Sequence, residues 1–132
     1  MTVVEVLASR VLLTPSDFER SVRFYEGALG LHRAREFGAG GRITGVVYFL
    51  GGGALEVSGS GGGPAPASLA LWLQVRDVDA EHRALATAGV EVLEPPADRP
   101  WGLREMWIAD PDGLRIALVQ VPDDHPLRRR VG

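Results

Sequence analysis

Apolar and polar positions keep a strand rhythm most clearly near the end of the chain, where Trp101 to Gln120 reads WGLREMWIADPDGLRIALVQ. At its centre Asp110-Pro111-Asp112-Gly113 carries its own turn chemistry. Asp opens a turn, Pro presets φ, and Gly supplies the left-handed residue that ends it. Met106 to Ala109 are apolar on the incoming side, and Leu114, Ile116 and Leu118 alternate with Arg115, Ala117 and Val119 on the outgoing side. A type I turn followed by a glycine bulge pairs Asp110 with Leu114, and so Ile108 with Ile116 and Trp107 with Ala117. One face of this hairpin is aliphatic. The other carries Trp107, Ala109, Arg115 and Ala117, which suits either a cavity wall or the wet face of an ordinary hairpin.

Earlier in the chain the same rhythms predict a strand over Val3 to Leu13, closed by Pro15. Ser16 as N-cap, with Glu19 three residues later, gives a capping box that opens a helix. Phe18, Val22, Tyr25 and Leu29 recur at helical spacing, and Gly30 ends the helix. Phe37 to Arg42, with three glycines, is expected to be a loop. Ile43 to Leu50 and Ala54 to Ser58 form a hairpin across Gly51 to Gly53, with Leu50 facing Ala54 and Tyr48 facing Glu56. Ser58 to Ser68 has the Gly, Ser and Pro content of a flexible linker.

The second half repeats the first. Leu69 to Val75 is a strand, Asp77 is an N-cap, and Val78, Leu85 and Ala88 line a helix ended by Gly89. Val90 to Leu93 is a short strand, Glu94 to Pro100 a Pro-rich loop, and the hairpin described above completes the unit. Asp77 follows Asp17 by 60 residues and Gly89 follows Gly30 by 59. A repeat this long implies two halves that each form half of something.

Composition narrows the function classes. The chain has 132 residues and no cysteine, so it can bury a sizeable core but offers no disulfide, thiolate nucleophile or sulfur ligand. Its N-terminus lacks a basic region and a long apolar run, and no stretch reaches bilayer length, so a cytoplasmic, non-membrane protein is expected. A net charge of −3 argues against a nucleic-acid partner, and Arg128 to Arg130 suit a solvated tail. No Ser-His-Asp or Cys-His grouping, phosphate loop or paired carboxylates are present.

Three segments in order resemble the vicinal oxygen chelate superfamily of glyoxalases, bleomycin-resistance proteins and extradiol dioxygenases. They are DFERSVRFY at 17–25 running to Leu29-Gly30-Leu31, VRDVDA at 75–80, and WGLRE at 101–105 with DPDG at 110–113. The resemblance implies an α+β fold of two βαβββ modules, with sheets curled around a cavity and commonly assembled as a homodimer with shared cavities. It divides the chain into a first module at 1–60, a linker at 61–67, a second module at 68–121 and a tail at 122–132.

Enzymes of that superfamily hold a divalent metal with His or Glu at equivalent points of the repeated strands. The matching positions are Arg10, Glu56, Ala70 and Ala117. Only Glu56 is a usable ligand, since Arg10 is cationic and the alanines have no donor atoms. His32, His82 and His125 fall on no cavity strand. No functional metal and no other cofactor is therefore expected.

Period two extends the cavity lining from these four positions to Leu12, Tyr48, Ala54, Trp72, Gln74, Trp107 and Arg115, joined by Val46 and Val119. Trp72 and Trp107, beside small Ala70 and Ala117, suit a slot for a planar aromatic ligand, with Trp101 closing one end. Either indole could equally be ordinary core. Arg10 and Glu56 admit three readings: an ion pair where the metal stood, an anchor for a polar ligand group, or Glu56 as a general base with Tyr48 as its acid. Two functions follow. One is a non-catalytic protein that sequesters an aromatic antibiotic or secondary metabolite; the other is a metal-independent isomerase, cyclase or lyase using Glu56. A glyoxalase or dioxygenase is a residual third.

Overall fold

A computed structural model describes residues 3–128, and among them are eight strands in two four-stranded sheets, two longer helices and a short 3-10 turn at Pro126–Arg128. The chain divides into two units between Gly63 and Pro64. Each is a βαβββ module, and the fold is α+β.

In the first unit β1 (Arg10–Leu13), β2 (Arg33–Ala39), β3 (Arg42–Leu50) and β4 (Gly53–Ser58) form a sheet of order β1-β4-β3-β2. The strand expected from Val3 starts only at Arg10. Arg10 pairs with Ala54 and β4 begins at Gly53, so the upstream residues run past the strand that could pair with them. Val3, Val4, Val6 and Leu7 are left exposed. Helix α1 (Phe18–Val22) is capped by Asp17, whose carboxylate accepts from the Arg20 amide at 3.0 Å. The cap therefore falls one residue beyond Ser16, whose hydroxyl instead accepts from the Arg20 guanidinium at 2.8 Å. From Arg23 to Ala28 the helix widens to π geometry, which turns Phe24 as well as Tyr25 into the core, edge to face at 4.9 Å. Gly30, at φ 72°, ends it.

The loop expected at 37–42 is mostly strand. Gly40 and Gly41, at φ 62° and 74°, form a two-residue turn that pairs Ala39 with Arg42. The next hairpin is also tighter than expected: Leu50 pairs with Gly53 across Gly51 and Gly52, with Gly51 at φ 57°. Glycine at the first central position suits a II′ turn, and one residue fewer in the loop shifts the register. Tyr48 consequently pairs with Leu55, and Val47 with Glu56. Val46, Tyr48, Leu55 and Val57 form one wholly buried face, on the same side as α1, since the Tyr48 hydroxyl reaches Glu26 of the helix.

In the second unit β5 (Ala70–Val75), β6 (Val92–Asp98), β7 (Arg104–Ala109) and β8 (Arg115–Gln120) form a sheet of order β5-β8-β7-β6. The β7–β8 hairpin has the expected register, with Ile108 opposite Ile116 and Trp107 opposite Ala117. Asp110 fixes its turn by accepting from the amides of Asp112 at 2.8 Å and Leu114 at 2.9 Å. Asp77 caps α2 (Val78–Thr87), and Gly89 at φ 76° ends it. Val78 and Leu85 pack on the face that carries Met106, Ile108 and Ile116, all buried. Arg104 joins that face to the helix through Asp79 at 2.9 Å, and the Gln120 amide oxygen accepts from the Val78 amide at 3.0 Å. The Pro-rich loop expected at 94–100 mostly belongs to β6. Pro95 and Pro96 lie in a register break between Glu94 and Ala97 on an edge strand, where a missing N–H costs no ladder bond.

The segment between the modules has no regular structure but is tied to its own unit on each side. Gly61 and Gly62 donate to Ser16 and Pro15, and Ala65 donates to Asp112. Arg128 is held, donating to the Val121 carbonyl at 2.9 Å rather than standing free in a tail; Arg129 and Arg130 lie outside the described residues.

Candidate functional site

Each sheet has one face covered by its helix and one without, and the expected site residues divide between them. On the helix-free face of the first unit β1 places Arg10 and Leu12 beside Ala54 and Glu56 of β4. The Arg10 guanidinium donates to Glu56 at 2.9 Å, and the Ser58 hydroxyl donates to the other carboxylate oxygen at 3.2 Å. Leu12 is 71% exposed. Val47 and Phe49 share this face, where the longer turn expected from sequence would put Val46 and Tyr48; the only signal in the sequence for the shorter turn is that Gly-Gly alone closes a hairpin.

Tyr48 and Val46 are not on this face. The one-residue register shift puts them under α1, where the Tyr48 hydroxyl donates to Glu26 at 3.3 Å. Burial, reinforced by the neighbouring Glu26 charge, pushes the phenol up to about 12. Arg33 hydrogen-bonds Glu26 and holds its carboxyl below the ordinary range. Tyr48 therefore cannot act as the acid opposite Glu56.

The helix-free face of the second unit is a grid of three rows across β5, β8 and β7. Ala70, Arg115 and Ala109 make the first, Trp72, Ala117 and Trp107 the second, and Gln74, Val119 and Glu105 the third. Arg115 thus points to the face that carries the indoles. Its guanidinium lies 5.1 Å from the centroid of the Trp107 ring and donates to the Ala67 carbonyl at 3.3 Å. Trp72 is 50% exposed, whereas Ala117 is 1% exposed. Leu103, Val119 and Val121 cluster on Ala117, and Trp107 packs against them. The space expected above this alanine is filled by the chain's own side chains, so Ala117 is floor and Trp107 is partly core.

Trp101 is tied down rather than loose: its indole donates to Glu105 at 2.7 Å while the ring remains 58% exposed. Glu105 is buried and lies 3.9 Å from the Arg99 guanidinium. Sequence reasoning passed over Glu105, although its parity with Trp107 places it on this face. Of the histidines, His32 is exposed, His82 is half-buried on α2, and His125 meets the Trp101 carbonyl at 3.2 Å. A separate pocket of about 550 Å³ in the first unit, lined by Asp17, Phe18, Arg42, Thr44 and Ser60 among others, includes none of the expected residues.

Residues 8–118 match the model of the Glyoxalase/Bleomycin resistance protein/Dioxygenase superfamily. The chain belongs to this superfamily. Among solved structures it is similar to TioX from Micromonospora sp. ML1, with 26% identity over 87% of this chain and 98% of that one and a TM-score of 0.72. A glyoxalase-related enzyme from Fulvimarina pelagi shares 25% identity over 90% of both chains, with a TM-score of 0.71. A superfamily protein from Nocardioides, 20% identical over 99% of this chain and 93% of that one with a TM-score of 0.74, shows the common fold. No curated protein matches the chain.

The metal positions of superfamily enzymes can be tested against these residues. In the first unit they hold a carboxylate already bonded to a guanidinium, and in the second two methyl groups. Among the described residues no group of three His, Asp or Glu side chains could hold a metal ion. The donor set does not fit a divalent cation. Among the described residues no helix is long and apolar enough to cross a membrane.

Proposed function

We propose that this chain is a small-molecule binding protein of the superfamily that takes up a planar aromatic compound without altering it, sequestering an antibiotic or secondary metabolite. The observation that carries this reading is Trp72, a half-exposed indole on a helix-free sheet face beside the Arg115–Trp107 cation–π pair. An indole left in water at that position supplies a broad apolar surface whose burial rewards a flat ligand. Superfamily membership, which includes bleomycin-resistance proteins, supports the same class. The second unit contributes Trp72, Arg115, Ala70 and the edge of Trp107, with Trp101 at the margin. The helix-free face of the first unit carries its own candidate contacts, Arg10, Leu12 and Glu56. The enzymatic alternative through Glu56 loses its acid, because Tyr48 lies on the opposite face.

The protein acts as a homodimer in this reading. The exposed run Val3, Val4, Val6 and Leu7 supports an association that removes it from water. A tryptophan-fluorescence titration of EDTA-treated protein with planar antibiotics, followed by release and mass analysis, tests the function. Saturable quenching with the ligand recovered intact is expected. Recovery of an altered molecule would establish an enzyme, and no response across the panel would contradict binding.

A further inference from the structure

We infer that the ligand of the second unit's helix-free face is an aromatic anion, with Arg115 as the residue that selects the negative charge; this rests on the binding reading above. Arg115 stands alone in its row between Ala70 and Ala109, so no side chain beside it competes for its donors. A guanidinium has five N–H donors, and one is used, on the Ala67 carbonyl at 3.3 Å. No carboxylate among the described residues forms an ion pair with it, whereas Arg10, Arg99 and Arg104 are all paired. Glu105, the one carboxylate in the grid, lies two rows away and already accepts from Trp101.

The guanidinium lies over the Trp107 ring, 5.1 Å from its centroid, which restrains it on this face with most of its donors unused, as bidentate carboxylate binding requires. Trp72 is its diagonal neighbour, one strand across and two residues along, roughly 8 Å away at the backbone. A ring resting on the exposed face of Trp72 therefore places a substituent at the guanidinium. An acid group there gains a charge-assisted bond, a neutral amide gains a weaker one, and an ammonium is repelled.

Isothermal titration of the full chain with 2-naphthoate and 2-naphthamide tests this. Naphthoate is expected to bind about tenfold more tightly than the amide, with the advantage shrinking at high salt. Arg115→Gln should abolish the preference, weakening naphthoate far more than the amide, while Trp72→Ala weakens both probes. Because Arg115 is exposed, an unchanged Tm identifies the loss as one of recognition. Equal binding of the two probes, or a preference that survives Arg115→Gln, overturns the inference; aromatic binding then stands if Trp72→Ala still weakens both. Failure of both probes to bind overturns the inference and the binding reading together.

Discussion

The Arg115 guanidinium lies 5.1 Å from the centroid of the Trp107 ring, so one indole of the helix-free face is engaged with the chain itself. Trp107 also packs on the cluster of Leu103, Ala117, Val119 and Val121. Trp107→Ala should therefore destabilise the protein by about 3 kcal/mol, the low end for a large aromatic lost from a core. Trp72→Ala, at a half-exposed site, should cost less than about 1 kcal/mol. Urea unfolding of the two variants checks the contrast, and equal losses would contradict it.

Tyr48 and Glu26 give the stability two opposite pH dependences. Burial raises the Tyr48 phenol from 10.0 to about 12, so the unfolded chain ionises first. The contribution of this group is complete below pH 10 and is lost as pH rises towards about 12. Glu26 is held below 4.5 by Arg33, so its contribution is complete above that value and is lost as pH falls through its lowered folded pKa. Tyr48→Phe should cost about 1 kcal/mol and remove the alkaline loss attributable to this phenol. Denaturation midpoints measured from pH 3 to pH 12 read both limbs.

Phe37 lies across the sheet from Gly45, and its ring fills the place of a side chain there. A Cβ on Gly45 would sit 2.2 Å from the ring tip. Gly45→Ala must push the ring away and should destabilise by about 1–3 kcal/mol. In a Phe37→Leu background the penalty should shrink, and a thermal-melt double-mutant cycle reads the coupling.

Arg10 and Glu56 are bonded at 2.9 Å, but the arginine side chain is 44% exposed. A pair with that access to water should show a coupling of only about 0.2–1 kcal/mol in a double-mutant cycle. A coupling several times larger would mean that the pair is shielded from water in the assembled protein.

The second module was far more legible than the first, and turn chemistry is the reason. Asp110-Pro111-Asp112-Gly113 admits one turn, so the pairing of Trp107 with Ala117 followed from sequence. Gly51-Gly52-Gly53 admits a two- or three-residue loop, and period two converts that ambiguity into a choice of face. Tyr48 and Val46 were lost from the site, and Val47 and Phe49 gained, by this one residue. Strand β2 was hidden because RAREFGA does not alternate, and β6 because prolines argue against strands except at edges. The filled space over Ala117 was illegible for another reason: Leu103 and Val121 reach it from beyond the strand ends, where no periodicity speaks.

The most direct test of the account compares ligand affinity and stability in Trp72→Ala. Binding of a planar aromatic acid should fall by tenfold or more, about 1.4 kcal/mol, while the urea midpoint stays near that of the parent protein. Unchanged affinity, or a loss of stability that accounts for the whole loss of binding, would contradict the claim that this indole is a binding surface.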